Sequence, residues 1–238
     1  MSTWLKVARY HLVQPIPYVL VAWWILAFSF AVNIAVYALV PNTGPVAATG
    51  SVPDGHYTGA LASIFLYFLV LGVNSIGRWL PFGLALGVSR RSYYAGTALL
   101  AVLLAAGDGL MLAVLQVIER ATNGWGVQMG FFRVPYLLNG PWYLTWLSSF
   151  VGMTLLFVYG MWYGIVFRRW GLIGTIAFIA AQVTVGLAAT LLVSWAHGWT
   201  SVGHFFTGLT AVGLTGLLAV LALALLAGGQ VTIRRATI

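Results

Sequence analysis

Charge is what this sequence has least of. Only 6% of its 238 residues are charged, and the acids number three: Asp54, Asp108 and Glu119. A soluble domain averages about 25% charged residues. With 61% hydrophobic residues and a mean hydropathy of +0.97, this chain cannot keep a folded surface in water, so its solvent is largely lipid. Cysteine is absent, which excludes a disulfide framework, a thiolate metal site and a thiol nucleophile. The only lysine, Lys6, follows Leu5, so no phosphate-cradling G-x-x-x-x-G-K-[ST] loop exists. Any ATP used must bind another chain. H-E-x-x-H and G-x-S-x-G are both missing, which removes the usual metalloprotease and serine-hydrolase signatures. Asp108, in "AAGDG", has no second acid within a span to share a proton with, as an aspartyl dyad requires.

What is present is a series of long apolar runs. Six approach the roughly 20 residues a helix needs to cross a bilayer: about 17–40, 60–77, 93–118, 143–167, 172–194 and 207–228. The first exceeds a signal-peptide core and reads as a retained span. Lipid supplies no hydrogen bonds, so crossing segments are helices or closed barrels. The runs are continuous rather than alternating, which predicts helices. The expected fold class is an all-α integral membrane protein with six transmembrane helices over 17–238.

The net charge of +8 would suggest nucleic acid in a soluble protein, but here its distribution argues otherwise. Lys6, Arg9, Arg78, Arg90, Arg91, Arg168, Arg169, Arg234 and Arg235 fall on one side of the six-span arrangement, against Arg120 and Arg133 on the other. Basic residues favour the cytoplasmic side of short loops, so both termini are expected in the cytoplasm, with no nucleic-acid partner. The surplus charge also attracts anionic lipid headgroups.

The outer loops, about 41–59, 119–142 and 195–206, carry turn pairs and aromatics. Trp142, Trp146, Trp195 and Trp199 stand where belt residues stand, and 124–141 is apolar enough to dip into the interface. In residues 1–16, helical spacing puts Trp4, Leu5, Ala8 and Leu12 on one face and Lys6 and Arg9 on another. This predicts an interfacial amphipathic helix, a separate segment before the span that begins at 17. His56, His197 and His204 lie in outer loops, where such residues are usually incidental, and no metal is expected.

Within the spans, Asp108, Asn33 and Gln182 are candidate substrate-path residues. The competing reading for each is a polar bond to a neighbouring helix, and for Asp108 that reading is preferred. Gln116, Thr184 and Asn74 read as helix glue. "GMWYG" at 160–164 is a weak packing signal, because glycine is common here.

One stretch breaks the apolar pattern: "PFGLALGVSRRSYYAGT", 81–97. Pro81 suits a first helical turn. Phe82, Leu84, Ala85 and Leu86 allow one or two apolar turns, Gly87 stops them, and Ser89 can N-cap the next helix. Arg90 and Arg91 hold that start at headgroup level. With Trp79 and Leu80 this forms a short displayed helix over about 79–91, either a docking element or a plain interfacial turn. The run "LGVSRRSYYAGT" resembles the segment after the second span in bacterial type-two ABC exporter permeases. The amphipathic start, six spans and inside termini also match that family, whereas the long first outer loop departs from it. The resemblance implies that 79–91 is a coupling helix seated in an ATPase subunit. It also implies that two permease chains, identical or not, pair around a path in the bacterial cell membrane. ATP and Mg would sit on the partner ATPase, with no cofactor and no catalytic residue on this chain. The Trp, Phe and Tyr content suits an amphipathic or lipid-like cargo such as an antibiotic, peptide or glycolipid, although belt residues account for most of it. The alternatives are an ATP-independent carrier or channel using Asp108, and a non-transporting membrane partner or immunity protein.

Overall fold

The computed structural model describes residues 16–39, 59–134, 138 and 140–235, and its regular elements there are all helical. The interfacial helix expected over 1–16 and the first outer loop lie outside the described residues, except for Ile16 and Gly59.

Five helices are long and apolar enough to cross a membrane. A π-helical turn, Ile16–Leu20, leads into α1, Val21–Leu39. A 3-10 turn, Gly59–Leu61, leads into α2, Ala62–Gly77. The short α3, Leu80–Ala85, precedes α4, Arg90–Ala121. Then come α5, Trp142–Trp195, the ten-residue α6, Trp199–Gly208, and α7, Ala211–Arg235. The segment expected as an outer loop over 195–206 is therefore mostly helix α6.

Helix α5 accounts for the difference between five elements and the six runs read from the sequence. Its 54 residues are interrupted at Gly171, where φ is 66° and ψ is −158°, a conformation that side-chained residues rarely adopt. Across this break the Tyr163 hydroxyl donates to Gln182 Oε1 at 2.7 Å, and the Tyr163 and Phe178 rings meet at 5.3 Å. On a straight helix Tyr163 and Gln182 would stand about 28 Å apart. The chain therefore reverses at Gly171, and the two arms, 142–170 and 172–195, lie side by side.

Directions follow from paired contacts. Along the first arm, Gly152 faces Phe65 and Gly164 faces Ile76, so α2 runs parallel to it. Ser148 bonds Thr215 and Trp162 Nε1 donates to Leu225 O, so α7 is parallel too. Helix α4 runs the other way: Gly109 meets Trp146 and Phe150, while the Tyr93 hydroxyl donates to Ser75 O. Helix α1 runs with α4, Trp23 lying beside Asp108 and Phe30 beside Trp125.

The tightest seam joins α2 to the first arm of α5. Gly160 and Gly164 both face α2 there, so the "GMWYG" run is a packing face. A Cβ on Gly160 would stand 2.1 Å from Leu69 O, and a backbone oxygen cannot swing aside as a side chain can. Gly160→Ala is expected to cost about 1–3 kcal/mol, since the helices must separate along the whole seam. Gly107→Ala, where a Cβ meets nothing within 4 Å, is the control and should be neutral or slightly stabilising. Reversible denaturation in mixed micelles measures both, and equal stability of the two variants would contradict so close an approach of the helices.

Candidate functional site

The break between α2 and α4 is built from local rules. Pro81 lies in the first turn of α3, where its missing donor leaves no bond unmade. Gly87, at φ 79°, ends the helix; Gly87 N–H donates to Leu84 O and Val88 N–H to Gly83 O. Ser89 is the N-cap of α4, its Oγ accepting from Ser92 N–H at 3.2 Å. The short helix is narrower than the 79–91 expected, because Ser89, Arg90 and Arg91 already belong to the start of α4.

Packing then fixes which face the turn displays. Leu80 and Gly83 are buried, and a Cβ on Gly83 would stand 2.5 Å from the Tyr93 ring. Tyr93 is itself held by its hydrogen bond to Ser75 O at 2.8 Å. Leu84 and Trp79 pack partly against the core. Phe82 and Leu86 face outward, 59% and 68% exposed, with Ala85 and Arg91 exposed beside them. The result is a rigid apolar knob at the end of the bundle that carries Arg78, Arg90 and Arg91.

The three candidate path residues do not converge. Asp108 is 7% exposed and accepts from Trp23 Nε1 at 3.0 Å, which ties α4 to α1. Its second oxygen is buried without a protein partner. Asn33 Nδ2 donates to Ser29 O of its own helix at 2.7 Å. Gln182 Oε1 accepts from both Tyr159 and Tyr163, each at 2.7 Å, between the arms of α5. Asp108 lies level with Trp146 and Phe150, and Gln182 more than two helical turns further along the bundle. Asp108 and Gln182 thus bond across to a neighbouring helix or arm, and Asn33 within its own helix. Trp146, expected in the aromatic belt, likewise donates to Ala106 O at 3.1 Å, whereas Trp142, Trp195 and Trp199 remain exposed.

The most elaborate polar group is one the sequence does not advertise. Glu119, fully buried at the end of α4, accepts from five donors. Trp125 Nε1 and Phe131 N–H reach its Oε2 at 3.2 and 3.0 Å, and Phe132 N–H reaches the same oxygen at 2.8 Å. Arg133 donates to Oε1 through its backbone N–H at 3.2 Å and its Nε at 3.1 Å. The loop is folded back over α4, with Phe30, Trp125, Phe131 and Phe132 in edge or tilted ring contact above α1. Gln116 Nε2 donates to Leu138 O, and Arg120 Nη2 to Gly140 O at 2.7 Å, tying Leu138 and Gly140 to α4. Three of the donors to Glu119 are backbone amides, which carry no sequence signature. An isolated acid near Arg133 is the one hint in the sequence.

Chemically, this arrangement holds surfaces and helices in place. Among the described residues no three His, Asp or Glu side chains gather as a metal site, and His56 lies outside them. Asp108 and Glu119 sit 11 residues apart on one helix, about 16 Å along its axis, too far to act as a pair. Against protein families, curated proteins and solved structures, the chain shows no match.

Proposed function

We propose that this chain is the membrane-spanning subunit of an ATP-driven ABC exporter, working with separate ATPase subunits. One observation carries the reading: a short helix locked from beneath by Tyr93, presenting Phe82 and Leu86 between two long apolar helices. Such a knob at headgroup level is suited to a cleft in a soluble partner. Its rigidity suits transmission, because a push on α3 passes directly into α2 and α4.

In this reading the chain crosses the membrane six times, the long helix α5 counting as two crossings. Each arm of α5 exceeds the roughly 20 residues a span requires, and the Gly171 reversal lies beside Arg168 and Arg169. Those arginines, with Arg78, Arg90, Arg91, Arg234 and Arg235, occupy the same end of the bundle as α3, which is cytoplasmic by the distribution of basic residues. In this scheme two such chains, identical or related, pair in the bacterial cell membrane. ATP and Mg bind the partner ATPases, and their closure rocks the inner ends of the spans to switch access for an amphipathic or lipid-like cargo. This chain makes and breaks no bonds.

The test is to tag the chain, extract it gently from its own cells and ask whether an ATPase copurifies and drives transport in vesicles. A chain that transports fully without any nucleotide-binding partner would sink the reading. Asp108→Asn sharpens it. The bond from Trp23 survives in the amide, because Trp23 needs only an acceptor. ATP-dependent transport should therefore fall by no more than about twofold, equivalent to less than about 1 kcal/mol. Transport driven by a pH gradient alone, and lost in Asp108→Asn, would favour a proton-coupled carrier instead.

A further inference from the structure

At the end opposite the arginine-rich turns, α2, the first arm of α5 and α7 leave a cavity of about 380 Å³ between them, with Leu61 of the 3-10 turn and the loop residues Val134 and Leu138 completing its wall. Its described walls include Phe65, Gly152, Leu156 and Leu218, with Ser148 and Thr215 as the polar members. Those two hydroxyls are spoken for. Thr215 donates to Ala211 O at 2.8 Å, so Ser148 is the donor in their mutual bond of 2.9 Å. No charged group and no unpaired donor lines the described wall. An apolar cavity with its polar atoms already paired does not recruit water, which needs two to four partners. A cavity of about 150 Å³ holds a six-carbon ring, so this one has room for roughly fifteen carbons.

We infer that this cavity binds one acyl chain of a bilayer phospholipid, wedged between α2, α5 and α7. The lining helices are among those apolar enough to cross a membrane, so the medium beside them is hydrocarbon. The described wall has nothing with which to recognise a headgroup. Occupancy therefore follows concentration, and bilayer lipid exceeds any cargo by orders of magnitude. Gly152 opens the space: a Cβ there would meet only the edge of the Phe65 ring, at 3.2 Å, and no backbone atom. The inference rests on the membrane-spanning reading alone and stands or falls separately from the ATPase partnership.

The experiment is native mass spectrometry of the full chain released from vesicles of palmitoyl-oleoyl phosphatidylcholine, through stepwise detergent exchange. The expected result is one phospholipid retained per chain. Gly152→Leu fills the cavity and should lower retention at least fivefold, as should Leu218→Phe, which fills it from the opposite helix. Ser148→Ala, which removes a hydroxyl without filling space, should retain the lipid. Should both filling variants fail to fold, chain length decides: in one detergent supplemented with equal amounts of either lipid, dioctanoyl phosphatidylcholine should give at least tenfold lower retention than the palmitoyl-oleoyl lipid in the wild type. A wild-type chain stripped of lipid would overturn the inference. So would equal retention by folded filling variants, retention independent of chain length, or a non-phospholipid molecule held in the cavity instead.

Discussion

Phe82→Glu combined with Leu86→Glu is expected to abolish copurification of an ATPase while leaving the chain fully inserted in the membrane. Both side chains are exposed, Phe82 on α3 and Leu86 just after it, and apart from the Phe82 ring contact with Trp79 at 6.0 Å neither belongs to the core, so the fold has little reason to change. A partner that buries them gains about 1.5–3 kcal/mol for each. Carboxylates in their place forfeit that gain and bring unpaired charge into the contact. A total loss of at least about 4 kcal/mol is roughly a thousandfold in affinity, enough to empty a complex of micromolar strength. Pull-down from cells that contain the partner reads this directly, and far-ultraviolet circular dichroism checks the fold. Undiminished association would move the docking surface elsewhere. Loss of both partner and helicity would say only that α3 supports the bundle, and Phe82→Ala would then separate the two roles.

Glu119→Ala should destabilise the fold more than Gly160→Ala does. The carboxylate is fully buried and holds five donors, among them the Arg133 guanidinium. Removing one side of a buried, hydrogen-bonded ion pair costs about 3–5 kcal/mol, because the donors left behind stay buried without partners. Glu119→Gln keeps two acceptor positions but turns an amide toward donors, so about 1–3 kcal/mol is expected. Arg133→Ala should lose less, about 1 kcal/mol, since three backbone amides and Trp125 still satisfy the carboxylate. Hydrogen exchange gives the local test. The amides of Phe131, Phe132 and Arg133 should lose protection in Glu119→Ala, while those of α2 keep theirs. Protected loop amides in that variant would mean the aromatic cluster around Phe30, rather than the carboxylate, closes this end.

Much of the architecture is legible from local signals. Hydropathy runs identify the apolar helices because lipid leaves a crossing backbone no hydrogen-bond partners but its own. Gly87 and Ser89 mark the end of one helix and the start of the next because capping is settled within four residues. The short turn itself is readable for the same reason, whereas packing decides that Phe82 and Leu86 rather than Leu84 are displayed. What the sequence could not carry are the contacts between segments far apart in the chain. The runs 143–167 and 172–194 already separate the two arms of Trp142–Trp195, but that Gln182 meets Tyr159 and Tyr163 across the break at Gly171 is decided only in the fold. Asp108, Asn33 and Gln182 look alike in sequence, each a polar residue in an apolar run. Only packing gives each a different partner, and it spreads the three through the bundle. Glu119 is the clearest case. Its identity is plain in the sequence, but its partners are mostly main-chain amides, and any residue except proline can supply those once the loop folds back over α4. The acyl-sized cavity likewise forms between three helices and the loop residues Val134 and Leu138, which no single segment encodes.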